Sequence, residues 1–487
     1  MIKTKIGIFV LFLFIYTLFM GGHLYSPDEE IMFRTVQSIA DNGSFAIEPL
    51  MGFATKKGID GKEYAQYGIG QPILSVPLYN LGKFALGKVS DSFKERFVID
   101  TTQYHNGTPD EYFIRFFVSL FNQIIGALMC VLIFSFCFLL TKEKIPSLII
   151  TALYGLGTLA FPHSKTFFSE PLATMMILSS LYFIEKWNVK NRNGYLFVSA
   201  CFLGYAVLTR VDSVVSVPAV FLLLALRLFK IDDWKLENLS IKIKNSLSDK
   251  NIYKNLIIFF IPLIVCAGIY LLINKLRFGA FMKTAYGDQS EGINFSTPFL
   301  MGAYGYLFSI GKGLFFFSPP LILFLFAIKK FMKKYWQVGI AFLTLIILNF
   351  VFHSKWQNWA GGWCWGPRHI FVIHAFLAIP IISLLTGEKI SRLVRMSVMF
   401  LLILGLCVQI YGSSQSFIDF YLVFFKTPET LPSFYSLFTE GDVITQQVPA
   451  PINDSIYIYQ NSQWKGYAIM SENGMNDFFW INFFIKK

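Results

Sequence analysis

Three consecutive carboxylates, Asp28, Glu29 and Glu30, stand in "LYSPDEEIMFRTVQSIADNGSF", directly behind an apolar N-terminal run. An acid beside lipid is costly unless it is paired or put to use. One that stays ionised can take a proton from an incoming hydroxyl. Ser26, Pro27 and Glu29 have the spacing of a helix start, with Ser as N-cap, Pro at the first helical position and Glu at the third. On that reading Glu29 is occupied by the backbone and Asp28 complements the helix dipole. On the chemical reading Asp28, at the mouth of the first apolar run, is a general base. Either way Ile31, Met32, Val36, Ile39 and Ala40 give an amphipathic helix, which Asn42-Gly43 ends.

Further charged residues gather at the ends of apolar runs. "FPHSKTFFSEPLA" carries His163, Lys165 and Glu170, and "LTRVDSVVSVP" carries Arg210 and Asp212. "SIGKGLFFFSPP" carries Lys312, and "HSKWQNWAGGWCWGPRHIF" carries Lys355, Trp356, Trp359, Trp363, Trp365, Arg368 and His369. Interfacial Trp is ordinary in membrane proteins, and long cationic side chains snorkel. Arg210 is harder to explain that way, because it lies in a turn with almost no connector, where a charge needs a partner or a cavity. Gly361, Gly362 and Gly366 allow close backbone approach around Arg368. One carboxylate and several cations at one face suit chemistry on an anionic lipid headgroup. The cations, Lys165, Arg210, Lys312 and Arg368, would hold a phosphate and stabilise its charge as it leaves.

The elements that must position these residues are membrane helices. Of 487 residues, 54% are hydrophobic and 15% charged, with 54 Phe and a mean hydropathy of +0.53. A soluble globular chain has more polar surface than this composition supplies. Spanning-length runs fall near 4–24, 112–141, 145–162, 168–187, 194–209, 211–228, 255–275, 313–329, 335–353, 369–386 and 393–412, about eleven in all. The N-terminal run has a basic start but no small-residue cleavage site, so it reads as an uncleaved first span. With the N-terminus inside, "TKEK", "EKWNVKNRN", 227–254, "KKFMKK" and "GEKISRLVR" are all inside and all basic, as the positive-inside rule demands. The net charge of +12 is thereby accounted for without a nucleic-acid partner. Two long segments then lie outside: a first loop over 25–111, with a second interfacial helix near Pro72, and a tail over 413–487. The stretch 229–254 reads as an amphipathic cytoplasmic linker. In the tail, "SIYIYQNSQWKGYAIM" alternates like a strand and "NDFFWINFFIKK" suits a membrane surface. The six Cys show no metal or disulfide spacing and read as packing residues.

The order of first span, outer Asp-Glu pair, long first loop and large bundle resembles the GT-C membrane glycosyltransferases. It is most similar to the protein O-mannosyltransferase and aminoarabinose transferase branch, glycosyltransferase family 39. "YGIGQPILSVPLY", "HSKTFFSEPLATMMIL", "LTRVDSVVSVPAV", "TAYGD", "SIGKGLFFFSPPLIL" and "WAGGWCWGPRHI" resemble that superfamily's recurring blocks, so that the likeness covers 1–412. It implies an all-α polytopic bundle in the plasma membrane of a prokaryote, with an extracytoplasmic active site. It implies an inverting transfer of a hexose or pentose from a polyprenyl-phosphate donor to a hydroxyl of a lipid, glycan or protein. Asp28 would be the base, with Glu29, Glu170, His163, Tyr67 and Trp363 in support; aromatic residues of this kind stack on sugars. The family cations that bind the lipid phosphate would correspond to Lys165, Arg210, Lys312 and Arg368. No cofactor is expected. Some GT-C enzymes need a divalent metal, which is not expected where cations already match the phosphate.

Two other readings fit the span count. A transporter or lipid flippase calls for charges near the bilayer midplane and broken helices in matching halves. A polymerase of lipid-linked glycans differs mainly in its donor. Charges gathered at one face favour chemistry there over alternating access.

Overall fold

The computed structural model describes residues 1–48, 54–98, 107–231, 239–285, 295–387, 390–421 and 455–485. Most of the "TAYGD" block, part of the linker at 232–238 and the tail from 422 to 454 lie outside the described residues. The protein is an all-α polytopic membrane protein. Among the described residues, five helices are long and apolar enough to cross a membrane: Pro109–Thr141, Val211–Leu228, Lys250–Phe278, Pro319–Lys355 and Arg392–Ser413. Lys144–Gly157, Gly194–Thr209, Phe299–Phe308 and Ile373–Leu384 are shorter apolar helices. Helix α1 (Ile2–Leu18) packs on Phe121–Thr141. Glu170–Lys190 pairs with Gly194–Thr209, which pairs in turn with Lys250–Phe278. Lys250–Phe278 turns Ile257, Ile261, Ile264, Val265, Leu272 and Leu276 outward, an apolar exterior suited to lipid as solvent.

Each expected span falls on helix, several of them in shorter pieces than expected. The expected break at "KKFMKK" is a kink rather than an extended loop: Tyr335 (φ −130°, ψ 45°) divides Phe324–Lys355 into two helices, at the boundary expected between the two spans. The run near 369–386 is broken into Arg368–Ile370, Ile373–Ala378 and Ile379–Leu384, with Pro380 in the last piece. Phe299–Phe308 was not among the expected spans; at 10 residues it is too short for the length criterion.

The first loop folds on one end of the bundle. Helix α2 (Pro27–Asn42) ends on Gly43 in the left-handed conformation. Helix α3 (Gly70–Leu86) begins two residues before Pro72 and packs between α2 and Pro109–Ser119. Lys83 pairs with Asp41 at 2.8 Å, and Lys88 caps the ring of Phe84. Between the two helices, β1 (Ala46–Ile47), β3 (Glu63–Ala65) and β2 (Thr55–Lys57) form a small antiparallel sheet in that order. Strands of two or three residues leave no alternation to read in sequence. In the tail the strand-like alternation is overturned. Gln463–Glu472 is an α-helix whose buried Gln463, Gly466, Tyr467 and Met470 recur at helical spacing. Phe479–Ile485 is a second short helix.

Candidate active site

Asp28 is the second residue of α2. The cap forms as the sequence implies: Ser26 Oγ accepts from Glu29 N at 3.4 Å, with Pro27 at the first position. The Glu29 side chain, however, reaches back one residue further and accepts from Tyr25 N at 2.8 Å. Glu29 is fully buried, and burial raises its carboxyl to about 8 against the Tyr25 amide, which lowers it. Burial thus favours its neutral form. Asp28 keeps a side chain 20% exposed. The two neighbours differ because helix geometry turns one into the protein and the other toward the end of the bundle.

Among the described residues Asp28 has two partners. Tyr67 Oη donates to Oδ1 at 2.7 Å, and Arg368 Nη2 donates to Oδ2 at 2.8 Å. Tyr67 arrives there because the next residue is Gly68. A Cβ at position 68 would lie 2.2 Å from the carbonyl oxygen of Thr209, so only glycine lets this segment pass. Arg368 leaves a loop in which Gly361, Gly362 and Gly366 all take the left-handed conformation. Its guanidinium lies 3.8 Å above the Phe168 ring, a favourable cation–π placement.

From Arg368 the ion pairs continue. Arg368 Nε donates to Glu170 Oε1 at 2.7 Å, and Arg210 Nη1 meets the same oxygen at 2.9 Å. Arg210 also binds Ser169 Oγ and, through Nη2 at 2.7 Å, Asp212 Oδ2. His353 Nε2 stands 3.5 Å from that oxygen, with Nδ1 turned to the Asn349 carbonyl at 2.9 Å. The Glu170 segment is fixed from below. Asn122 donates to the carbonyls of Thr166 and Phe168, and Gln71 donates to that of Phe167.

The result is an alternating row: Asp28, Arg368, Glu170, Arg210, Asp212, His353. It is not the expected lone acid within a ring of cations. Three carboxylates share two guanidiniums, so a phosphate arriving here competes with carboxylates for the same N–H groups. Arg368 Nη1 makes no hydrogen bond among the described residues and is the donor left for such an oxygen. A cleft with room for little more than one water molecule (about 20 Å³) lies beside the row, lined by Glu170, Arg210, Asp212, Asn349, His353 and His369.

The two candidate lysines are placed otherwise. Lys165 Nζ spends its donors on Asp477 Oδ2 at 2.6 Å and on the carbonyls of Ser413 and Gln415. Lys312 Nζ is surrounded by the carbonyls of Gly362, Cys364 and Gly366 at 3.0–3.2 Å and by Cys364 Sγ. Burial lowers the Lys312 ammonium from its ordinary value. Both cations clamp loops, Lys312 the one that presents Arg368. His163 is buried against Phe371 and Phe168, its ring nitrogens unpartnered among the described residues, and burial lowers it to about 3. Trp363 stacks on Tyr421 at 5.5 Å. The structure thus brings together Asp28, Tyr67, Glu170, Arg210 and Arg368, and gives Lys165, Lys312, His163 and Trp363 protein partners or apolar surroundings. His353 was not singled out in sequence, although it ends an apolar run in the same way as the others. Among the described residues no group of three or more His, Cys, Asp or Glu side chains converges as a metal site would.

No family model matches the sequence, and neither does any curated protein. Solved structures do match by shape. ArnT from Cupriavidus metallidurans bound to undecaprenyl phosphate superposes with a TM-score of 0.50 at 14% identity, over 90% of this chain and 68% of that one. The Archaeoglobus fulgidus oligosaccharyltransferase in complex with Zn and sulfate superposes with a TM-score of 0.50 at 12% identity, over 88% of this chain and 56% of that one. The fold is the GT-C fold of membrane glycosyltransferases.

Proposed function

We propose that this chain is a membrane glycosyltransferase that moves a sugar from a polyprenyl-phosphate carrier to a hydroxyl of a lipid or glycan acceptor. The observation that carries the reading is the row itself. In a GT-C fold, segments far apart in sequence deliver Asp28, Glu170, Arg210 and Arg368 to one place. The ArnT structure of the same fold was solved with undecaprenyl phosphate, which supports a donor of that class here. The basic short loops support a topology with the row on the extracytoplasmic side.

In the proposed reaction the acceptor hydroxyl approaches Asp28, which takes its proton. The acceptor oxygen bonds to the anomeric carbon as the bond from that carbon to the phosphate oxygen breaks. The electron pair leaves on the phosphate, and configuration inverts. Arg368 Nη1 and then Arg210 meet the charge that builds on the departing oxygen. The planar guanidinium fork suits this better than an ammonium would, because it can hold a carboxylate and a phosphate oxygen at once. Tyr67 and Arg368 hold the Asp28 carboxylate in one orientation, so the acceptor finds the base already aimed. No divalent metal enters the proposal.

Incubating the purified protein with a panel of undecaprenyl-phosphate sugars tests this. Release of undecaprenyl phosphate by the wild type and not by Asp28→Asn is expected. Equal release by both removes Asp28 from the mechanism. Movement of the lipid across the bilayer without bond cleavage replaces the reading with that of a flippase.

A further inference from the structure

We propose that Asp477, in the C-terminal tail, is a positioning residue that sets the distance between the two carboxylates bridged by Arg368. The proposal rests on the reading of Asp28 as the base.

Asp477 is 2% exposed and accepts three side-chain donors. His23 Nε2 lies 2.8 Å from Oδ1, Tyr25 Oη donates to Oδ2 at 2.7 Å, and Lys165 Nζ donates to Oδ2 at 2.6 Å. His23 and Tyr25 belong to the short connection that leads into α2 and Asp28. Lys165 belongs to the connection that leads into Glu170. One carboxylate therefore ties together the two segments that carry the ends of the Asp28–Arg368–Glu170 bridge.

The rest of the tail keeps Asp477 in place. Its own amide donates to the Ser414 carbonyl at 2.9 Å, Phe479 N donates to the Met20 carbonyl at 2.9 Å, and Trp480 Nε1 donates to that of Thr17 at 3.0 Å. A Cβ on Gly21 would lie 2.0 Å from Tyr25 Oη and 3.0 Å from Asp477 Oδ1, so a residue without a side chain is needed there for the Tyr25–Asp477 bond to form. Tyr25 N is in turn the donor that holds Glu29, the neighbour of Asp28. The path from Asp477 to the base thus runs through bonded, buried groups.

Arg368 can bridge Asp28 and Glu170 only at one separation, because its Nε and Nη2 are fixed in one plane. If the two connections drift apart, one carboxylate is released and the base loses its aim. A displacement of about 1 Å at a reacting group can cost about a hundredfold in rate.

The test uses the full chain in detergent with Asp477→Asn, which keeps the size of the side chain and removes the charge that holds Lys165. Undecaprenyl-phosphate affinity and kcat for sugar release are measured together, with amide hydrogen exchange over residues 24–34 and 164–174. The expected result is a kcat lowered by about a hundredfold, an unchanged Kd, and faster exchange in both segments. Unchanged kcat overturns the proposal. So does a Kd that weakens in step with kcat, because that marks general damage. If Asp477→Asn does not fold, Tyr25→Phe removes a single donor and is judged by the same outcomes, with exchange read over 24–34. If the wild type releases no undecaprenyl phosphate from any donor, the proposed reaction fails, and exchange alone decides whether Asp477 couples the two segments: unchanged exchange overturns that coupling.

Discussion

Asp28 and Arg368 meet at 2.8 Å across 340 residues of chain, and the same guanidinium holds Glu170 at 2.7 Å on its other side. The base candidate is thereby fastened to the group that would stabilise the leaving phosphate. Proton removal and departure of the phosphate are then tied by one rigid fork.

Asp28→Asn keeps the shape of the side chain and still accepts from Tyr67, but it cannot take a proton. Sugar release should fall by about 100- to 10,000-fold, the usual worth of a general base. Undecaprenyl-phosphate binding should survive, since Arg368 and Arg210 remain. Loss of binding along with turnover would assign Asp28 to the donor site instead.

Glu170 occupies N–H groups of both arginines. A phosphate must share or displace it. Glu170→Gln should therefore tighten undecaprenyl-phosphate binding, by about tenfold if roughly 1.4 kcal/mol of competition is relieved. It should lower kcat at the same time, because Arg368 loses the partner that braces it toward Asp28. A titration of labelled lipid separates the two effects. Weaker binding in the variant would mean that Glu170 presents the arginines and does not compete for them.

Lys312 gives the opposite pattern. Its ammonium satisfies three carbonyls in the loop that carries Arg368. Lys312→Met removes that donor: the Gly366 carbonyl keeps the Arg368 amide at 3.1 Å, while the Gly362 and Cys364 carbonyls lose their closest partner, at about 1–3 kcal/mol for each group left unpaired. The expected result is a lower thermal midpoint, with the folded fraction binding undecaprenyl phosphate as before. A selective rise in Kd with no loss of stability would return Lys312 to the phosphate site.

The lysines show what the sequence could and could not say. Lys165, Arg210, Lys312 and Arg368 carry one signal in common: a cation at the end of an apolar run requires a partner. That signal holds for all four, but it does not name the partner. Carboxylates took the arginines, and backbone carbonyls took most of the lysines' bonds. Asp477 and His23 carry no local signal, because they meet across 454 residues and the tail has no long apolar run to place it. The helix start at Ser26-Pro27 was legible because capping is local. The strand-like signal in this tail comes from Ile and Tyr alternating over 456–459, whereas over Gln463–Glu472 burial follows the helical period.

Glu29 offers a test that does not depend on activity. Burial raises its carboxyl to about 8, whereas in an unfolded chain a glutamate titrates near 4.3 (~). Between those values the folded protein binds a proton that the unfolded chain has released. Stability attributable to this group therefore falls as pH rises through that window and levels off above it. Glu29→Gln mimics the protonated form and still accepts from Tyr25 N, but it does not titrate. The difference in thermal midpoint, variant minus wild type, should grow from pH 5 to about 8 in favour of the variant and then stay constant. A difference that stays flat across the window would show that Glu29 is ionised in the folded protein. Two carboxylates, Asp28 and Glu29, would then sit charged side by side at the start of α2, and the assignment of proton transfer to Asp28 alone would lose its basis.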